Sequence, residues 1–204
     1  MDKKSPAPFV FLQSFVLASA SPRRRDFFQR LGLDCPALAA DIVEERRAGE
    51  SPDDFARRMA EEKALAVARQ RPDSWVLGAD TIVVLGEEVL GKPRDAAEAL
   101  AMLQRLNGRA HRVVSGFSLR HHNRQVCETR HETSEVFFHH FPDEVLAAYV
   151  RNGEPLDKAG AYGIQGIGGF LVRKIHGSCA NVIGLPLAEV VQLLLQHHII
   201  TSSA

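Results

Sequence analysis

Cysteine is scarce and poorly spaced: Cys35, Cys127 and Cys179 are the only three in 204 residues, and no C-x-x-C occurs. Neither a disulfide framework nor a cysteine zinc site is readable, and a reducing, cytoplasmic setting fits best. An excess of one charge is missing too. Lys plus Arg and Asp plus Glu are 25 each, net zero, which argues against a nucleic-acid coat. No apolar run approaches the roughly 20 residues that span a bilayer, so no membrane partner is expected. The nine histidines include no H-E-x-x-H. The pairs His121-His122, His139-His140 and His197-His198 put neighbours on different faces, and most histidines read as solvated. What is present is ordinary: 45% apolar and 7% aromatic residues. A chain of this length buries roughly 70% of its unfolded surface and needs no staple.

The N-terminus has the outline of a signal peptide: Lys3 and Lys4, an apolar stretch Phe9–Ala18, then Ala18-Ser19-Ala20. Pro6, Pro8, Gln13 and Ser14 weaken it. The same stretch predicts a strand, Phe9–Leu17, running into a helix start at Ser21-Pro22. The expectation is therefore that the N-terminus is retained, with 1–8 a flexible leader and 199–204 a tail. Pro22–Leu31 predicts a short basic helix closed by Gly32, and Cys35–Ile42 a strand. Ser51-Pro52-Asp53-Asp54 opens a helix to about Arg71. Trp75–Leu85 and Val89–Leu90 form a hairpin, and Asp95–Leu106 a helix. A second hairpin spans Val113 to Phe138. Pro142–Val150 is helical, a glycine-rich loop covers Glu154–Gly169, and Phe170–Ile175 and Pro186–Gln196 are the last strand and helix. This is mixed α/β with antiparallel hairpins, in a single domain over 1–204.

Three clusters can carry chemistry. At Ser19-Ala20-Ser21-Pro22-Arg23-Arg24-Arg25 a strand end meets a helix start, gathering N–H groups, hydroxyls and guanidinium forks that suit a polyanion such as a triphosphate. A basic face in water is the plainer reading of those residues. At Gly78-Ala-Asp-Thr81 an acid sits in an apolar strand. Burying it costs several kcal/mol unless compensated, so Asp80 is a metal ligand, a base or half of an ion pair. The third, Gly86 to Lys92, has P-loop spacing, but Glu87, Glu88 and Pro93 reject that reading.

Leu17-Ala-Ser-Ala-Ser-Pro-Arg-Arg24, Gly78-Ala-Asp-Thr81, Gly91-Lys-Pro93, Gly153-Glu-Pro-Leu-Asp-Lys-Ala-Gly-Ala-Tyr-Gly-Ile-Gln-Gly166 and Asn181-Val-Ile-Gly-Leu-Pro-Leu187 stand in one order along the chain. Together they resemble the Maf family of nucleoside triphosphate pyrophosphatases, over about Phe15 to Leu195. The Asp157–Gly166 run resembles the branch acting on dTTP and UTP rather than the branch acting on 7-methyl-GTP. The resemblance implies a mixed sheet in two lobes around a central cleft, like inosine triphosphate pyrophosphatases, and a homodimer.

It also implies roles. Asp80 is the proton acceptor, and Ser19, Arg24, Lys63 and Lys92 are phosphate-side groups. Glu44 and Glu45 are an acidic pair near a divalent metal, Mg2+ or Mn2+, which Asp80 holds if it is not the base. Arg23, Thr81 and Gln165 match positions tied to substrate choice. Cys179-Ala180 and Ser115 depart from the family pattern, where an aromatic residue and a Thr are usual. The alternative from another class is a non-catalytic regulator of cell division that binds nucleotides or partners.

Overall fold

The computed structural model describes residues 7–203. Strands β1 (Phe9–Phe11) and β2 (Phe15–Ala18) precede helix α1 (Pro22–Arg30) and the long helix α2 (Pro52–Gln70). Hairpin β3 (Trp75–Leu85) and β4 (Glu88–Leu90) leads to α3 (Ala96–Leu106), then hairpin β5 (Ala110–His121) and β6 (Val126–Phe138). Helix α4 (Asp143–Arg151), three 3-10 turns between Glu154 and Leu171, β7 (Val172–His176), α5 (Cys179–Ile183), α6 (Leu187–Gln196) and β8 (Ile200–Ser202) complete the chain. Ser51 caps its helix as expected, whereas Ser21 precedes α1 but its side chain makes no capping hydrogen bond, and Pro22 alone marks that start. Ser51 and Asp95 side chains accept from the Asp54 and Glu98 N–H groups at 3.1 and 2.8 Å, opening α2 and α3.

A six-stranded mixed sheet runs β2-β3-β5-β6-β7, with β4 also on β3. β2 pairs in parallel with Trp75–Gly78, and β4 pairs antiparallel with Val83–Leu85, both on the edge of β3 away from β5. Between them Ala79–Ile82 has no strand partner on that edge among the described residues, so the sheet carries a notch. Alternation assigns the faces. Val76, Ile82 and Val84 pack under α2 with Ala56, Met59, Ala64 and Val67. Trp75, Leu77 and Ala79 face the other way into a core with α1 and α6, and Val83 into a separate core with α3 and α4. That face thus divides into two lobes, and the row between them is polar.

Helix α2 lies unusually close to the sheet. A Cβ on Gly78 would collide with the Ala60 carbonyl, and one on Gly116 with the Ala56 carbonyl. Glycine at these two points lets the α2 backbone touch the strands, which fixes the height of every α2 side chain above β3.

The predicted strand Phe9–Leu17 is two strands in two sheets. Gln13 interrupts it, donating to the His197 and His198 carbonyls at 3.1 and 2.9 Å and accepting from the Trp75 indole at 3.0 Å. β1 pairs instead with β8, inside the predicted tail: Ile199 and Ile200 are buried, and Ser203 N donates to Pro8 O at 3.0 Å. Of the predicted leader, residues 1–6 lie outside the described residues. Cys35–Ile42 is not a strand. It makes one parallel bridge, Leu17 to Ala37, because Pro36 has no N–H to continue a ladder. His111 and His121 are buried, unlike most of the histidines.

Candidate active site

The notch in β3 collects the chemistry. Ser19 leaves the end of β2 and Arg24 sits in the first turns of α1, with the Arg24 side chain buried across the notch. Its Nε donates to Gly184 O at 2.8 Å, Nη1 to Ser19 Oγ at 3.1 Å and Nη2 to Thr81 Oγ1 at 3.0 Å. Burial lowers the Arg24 pKa, and the charge of Asp80 opposes that. Thr81 Oγ1 lies 2.8 Å from Ser115 Oγ and donates to Gly184 O at 3.1 Å, and Ser115 donates to Asn181 O at 3.2 Å. Asn181, fully buried, donates to Val113 O and Ser134 Oγ, each at 3.0 Å. The polar row is therefore a rigid floor that holds one guanidinium in place.

Asp80 points to the opposite face of β3 from Thr81, toward α2. There Lys63 Nζ donates to Asp80 Oδ1 at 2.7 Å and lies 2.9 Å from Glu44 Oε1. The Lys63 and Asp80 side chains are only 12% and 11% exposed, whereas Glu44 is 53% exposed. The buried acid is compensated by one ammonium, and the site wraps around the free edge of β3, an acid on one face and hydroxyls on the other.

The remaining predicted residues flank this centre. Arg23 and Lys92 are exposed, Arg23 near enough to Asp157 to help hold its carboxyl below the usual range, after the Lys158 hydrogen bond and the Lys158 charge. Lys92 follows Gly91, whose carbonyl accepts from Gly160 N at 3.1 Å, tying β4's exit to the glycine-rich segment. Gln165 is exposed in that segment. Glu45 is exposed, and its main-chain oxygen accepts from Arg58 Nη2 at 2.8 Å. Among the described residues no three His, Cys, Asp or Glu side chains converge as a metal-ligand group. Sequence reasoning missed the Gly184 carbonyl and the Asn181 brace, although both lie inside a quoted motif: residue type does not announce a carbonyl acceptor.

The Maf-like protein family profile matches residues 14–197. The chain belongs to the Maf family. Similar Maf relatives include the dTTP/UTP pyrophosphatase of Desulfotalea psychrophila, 50% identical over 186 residues, covering 91% of this chain and 95% of that protein. The dTTP/UTP pyrophosphatase of Myxococcus xanthus is 52% identical over 181 residues, covering 88% and 90%. Among solved structures, a HAM1 protein from Coxiella burnetii aligns at 16% identity and TM-score 0.42, over 64% of this chain and 75% of that one. No helix among the described residues is long and apolar enough to cross a membrane.

The donor set of this Maf site suits a hard divalent cation. Glu44 and Asp80 present carboxylate oxygens to one cation, at present the Lys63 ammonium. Magnesium is commonly held by one or two carboxylates plus water and substrate phosphates, so two are enough.

Proposed function

We propose that this protein hydrolyses dTTP and UTP between the α- and β-phosphates, releasing pyrophosphate and the nucleoside monophosphate and so clearing the nucleotide pool. The observation that carries this reading is the convergence of Asp80, Lys63, Arg24 and Ser19 on the free edge of β3. The dTTP/UTP pyrophosphatases near 50% identity support it. Arg24 and Ser19 grip phosphate oxygens from a floor that does not reorganise, and Lys63 and Lys92 spread charge over the leaving pyrophosphate. Asp80 accepts the proton of the attacking water or holds a metal, while Arg23, Thr81 and Gln165 set substrate choice. Mg2+ or Mn2+, held by Glu44 and Asp80 with Glu45 beside them, would neutralise phosphate charge when bound.

The reaction breaks one phosphoanhydride bond: the water oxygen becomes part of one product, and the bonding pair leaves with the other. A panel of nucleotides assayed with and without magnesium tests the reading. Pyrophosphate released from dTTP and UTP, and lost on chelation, is expected; orthophosphate as first product overturns it, as does 7-methyl-GTP as best substrate. Nucleotide binding without turnover favours the regulator. A cytoplasmic homodimer, supported by three free cysteines and by the family resemblance, is checked by light scattering and fractionation.

A further inference from the structure

The segment that carries Gln165 is wrapped around one carboxylate. Glu154 Oε2 accepts from Ile167 N at 2.8 Å, and Oε1 accepts from Gly168 N at 3.1 Å and from the Tyr149 hydroxyl at 2.8 Å. The same Tyr149 oxygen accepts from Gly163 N at 3.3 Å. Both ends of the Gly163–Gly168 segment are thus bound to a single Glu154–Tyr149 unit. Between them Gly166 N donates to Gly163 O at 3.3 Å, closing a turn whose third residue is the exposed Gln165.

The glycines record the same fit. A Cβ on Gly166 would collide with the Glu154 carboxylate, and one on Gly168 with the Tyr149 hydroxyl. The backbone approaches these two polar groups more closely than any side-chain-bearing residue permits. The carboxylate is in its charged form: burial works against it, but the hydrogen bonds from Gly168, Tyr149 and Ile167 outweigh burial and hold its pKa below the usual value. Glu154 is itself fixed to the scaffold. It follows α4, whose Tyr149 is 3% exposed in the core, and its carbonyl accepts from Lys158 Nζ at 2.8 Å.

We infer that Glu154, acting through Tyr149 and the main chain, is the positioning residue that sets nucleobase selectivity by holding Gln165 in one place. This rests on the reading of Gln165 as a base-contacting residue. Thymine and uracil present acceptor, donor and acceptor along one edge, and a Gln amide supplies both complements. Such pairing discriminates only if the amide stands still; a loop free to move lets it follow a cytosine edge as well. Substituting Glu154 by Gln keeps the shape but turns one carboxylate oxygen into an N–H2 group. Its three donors then face a group with a single acceptor atom, and at least one loop N–H loses its partner.

The test is the UTP-to-CTP ratio of kcat/KM in the full-length protein, its Glu154→Gln, Tyr149→Phe and Gln165→Ala variants, and the Glu154→Gln/Gln165→Ala double variant. Glu154→Gln is expected to lower the ratio about tenfold, through a higher KM for UTP with kcat changed by less than about threefold. Tyr149→Phe should move it the same way by about threefold, with faster amide exchange across 163–168 in both. Once Gln165 is Ala, Glu154→Gln should shift the ratio no further. A ratio unchanged in Glu154→Gln while Gln165→Ala lowers it overturns the inference and leaves the role of Gln165 intact. A ratio unchanged in Gln165→Ala overturns that role and the inference with it. Should Glu154→Gln fail to fold, Tyr149→Phe decides: an unchanged ratio there counts against the inference.

Discussion

The Lys63 ammonium and the Asp80 carboxylate meet at 2.7 Å with almost ninety per cent of each side chain withdrawn from water. Each makes the other's burial tolerable, so neither is removable alone at low cost. Lys63→Met is expected to destabilise the fold by about 3 kcal/mol, and Lys63→Met combined with Asp80→Asn by clearly less than the sum of the single losses. Urea denaturation of the four proteins checks this. Additive losses would mean that the pair is not energetically coupled.

Turnover separates from stability at the same pair. Asp80→Asn keeps the size of the side chain and its hydrogen bond to Lys63, and is expected to lower kcat by about 10²-fold or more while nucleotide binding survives. Steady-state assays beside calorimetric binding make the comparison. Near-normal turnover would return Asp80 to a purely structural role.

Glu44 lies 2.9 Å from the Lys63 ammonium with its own side chain half-exposed, so this ion pair contributes little to stability. Glu44→Gln is expected to raise the magnesium concentration for half-maximal activity about tenfold, with a change in melting temperature of less than about 2 °C. A metal titration distinguishes this from a loss of fold.

The seat of α2 is a third handle on activity. Gly116→Ala forces the Ala56 carbonyl away and lifts the helix that carries Lys63. It should cost about 2 kcal/mol by overpacking and lower kcat more than substitutions of equal destabilisation elsewhere. Ala68→Ser, buried on the same helix farther from Asp80, is a suitable control.

Stability should fall with acid in two pH windows. His111 is 3% exposed beside the Tyr162 hydroxyl, 2.9 Å from its Nε2, and burial depresses its pKa from 6.5 to about 4. The unfolded chain binds the proton first, so this contribution is present above pH 6.5 and is lost as pH falls toward 4, by at most about 3 kcal/mol. Glu50, gripped by Arg58 Nε and Nη2 at 2.6 and 2.8 Å, has its pKa lowered from 4.5 to about 2 chiefly by that hydrogen bonding. Its contribution goes between pH 4.5 and 2. The fall of melting temperature between pH 6.5 and 5 should flatten in His111→Gln and keep its slope in Glu50→Gln, whose own loss of slope comes below pH 4.5.

Much of this was legible in the residues themselves. Ser51-Pro52 and Asp95 state their helix starts because capping is local, and an acid among Val76, Leu77, Ile82 and Val83 demands a partner wherever it lies. That the partner is Lys63 was not legible from the residues alone, since in Glu61-Glu62-Lys63 it resembles any solvated helix face. It depends on glycines 78 and 116 setting the height of α2. The pairing of Phe9–Phe11 with Ile200–Ser202 was equally hidden, being made by contacts nearly two hundred positions apart. Local pattern reports elements and caps; it is silent on which distant carbonyl, such as Gly184, completes a side chain's hydrogen bonding.

Order of synthesis gives that last contact another meaning. Arg24 leaves the ribosome 160 residues ahead of Gly184, whose carbonyl fixes its Nε. The apolar cluster around Phe15, Phe27 and Phe28 likewise closes only when Val190, Leu193, Leu194, Ile199 and Ile200 arrive. A nascent chain therefore holds its anion grip unassembled and its first aromatic core open until residues 184–200 have been made. A fragment that stops short of Gly184 leaves Phe15, Phe27 and Phe28 without part of their apolar cover and the Arg24 Nε without its acceptor, the kind of surface that invites aggregation.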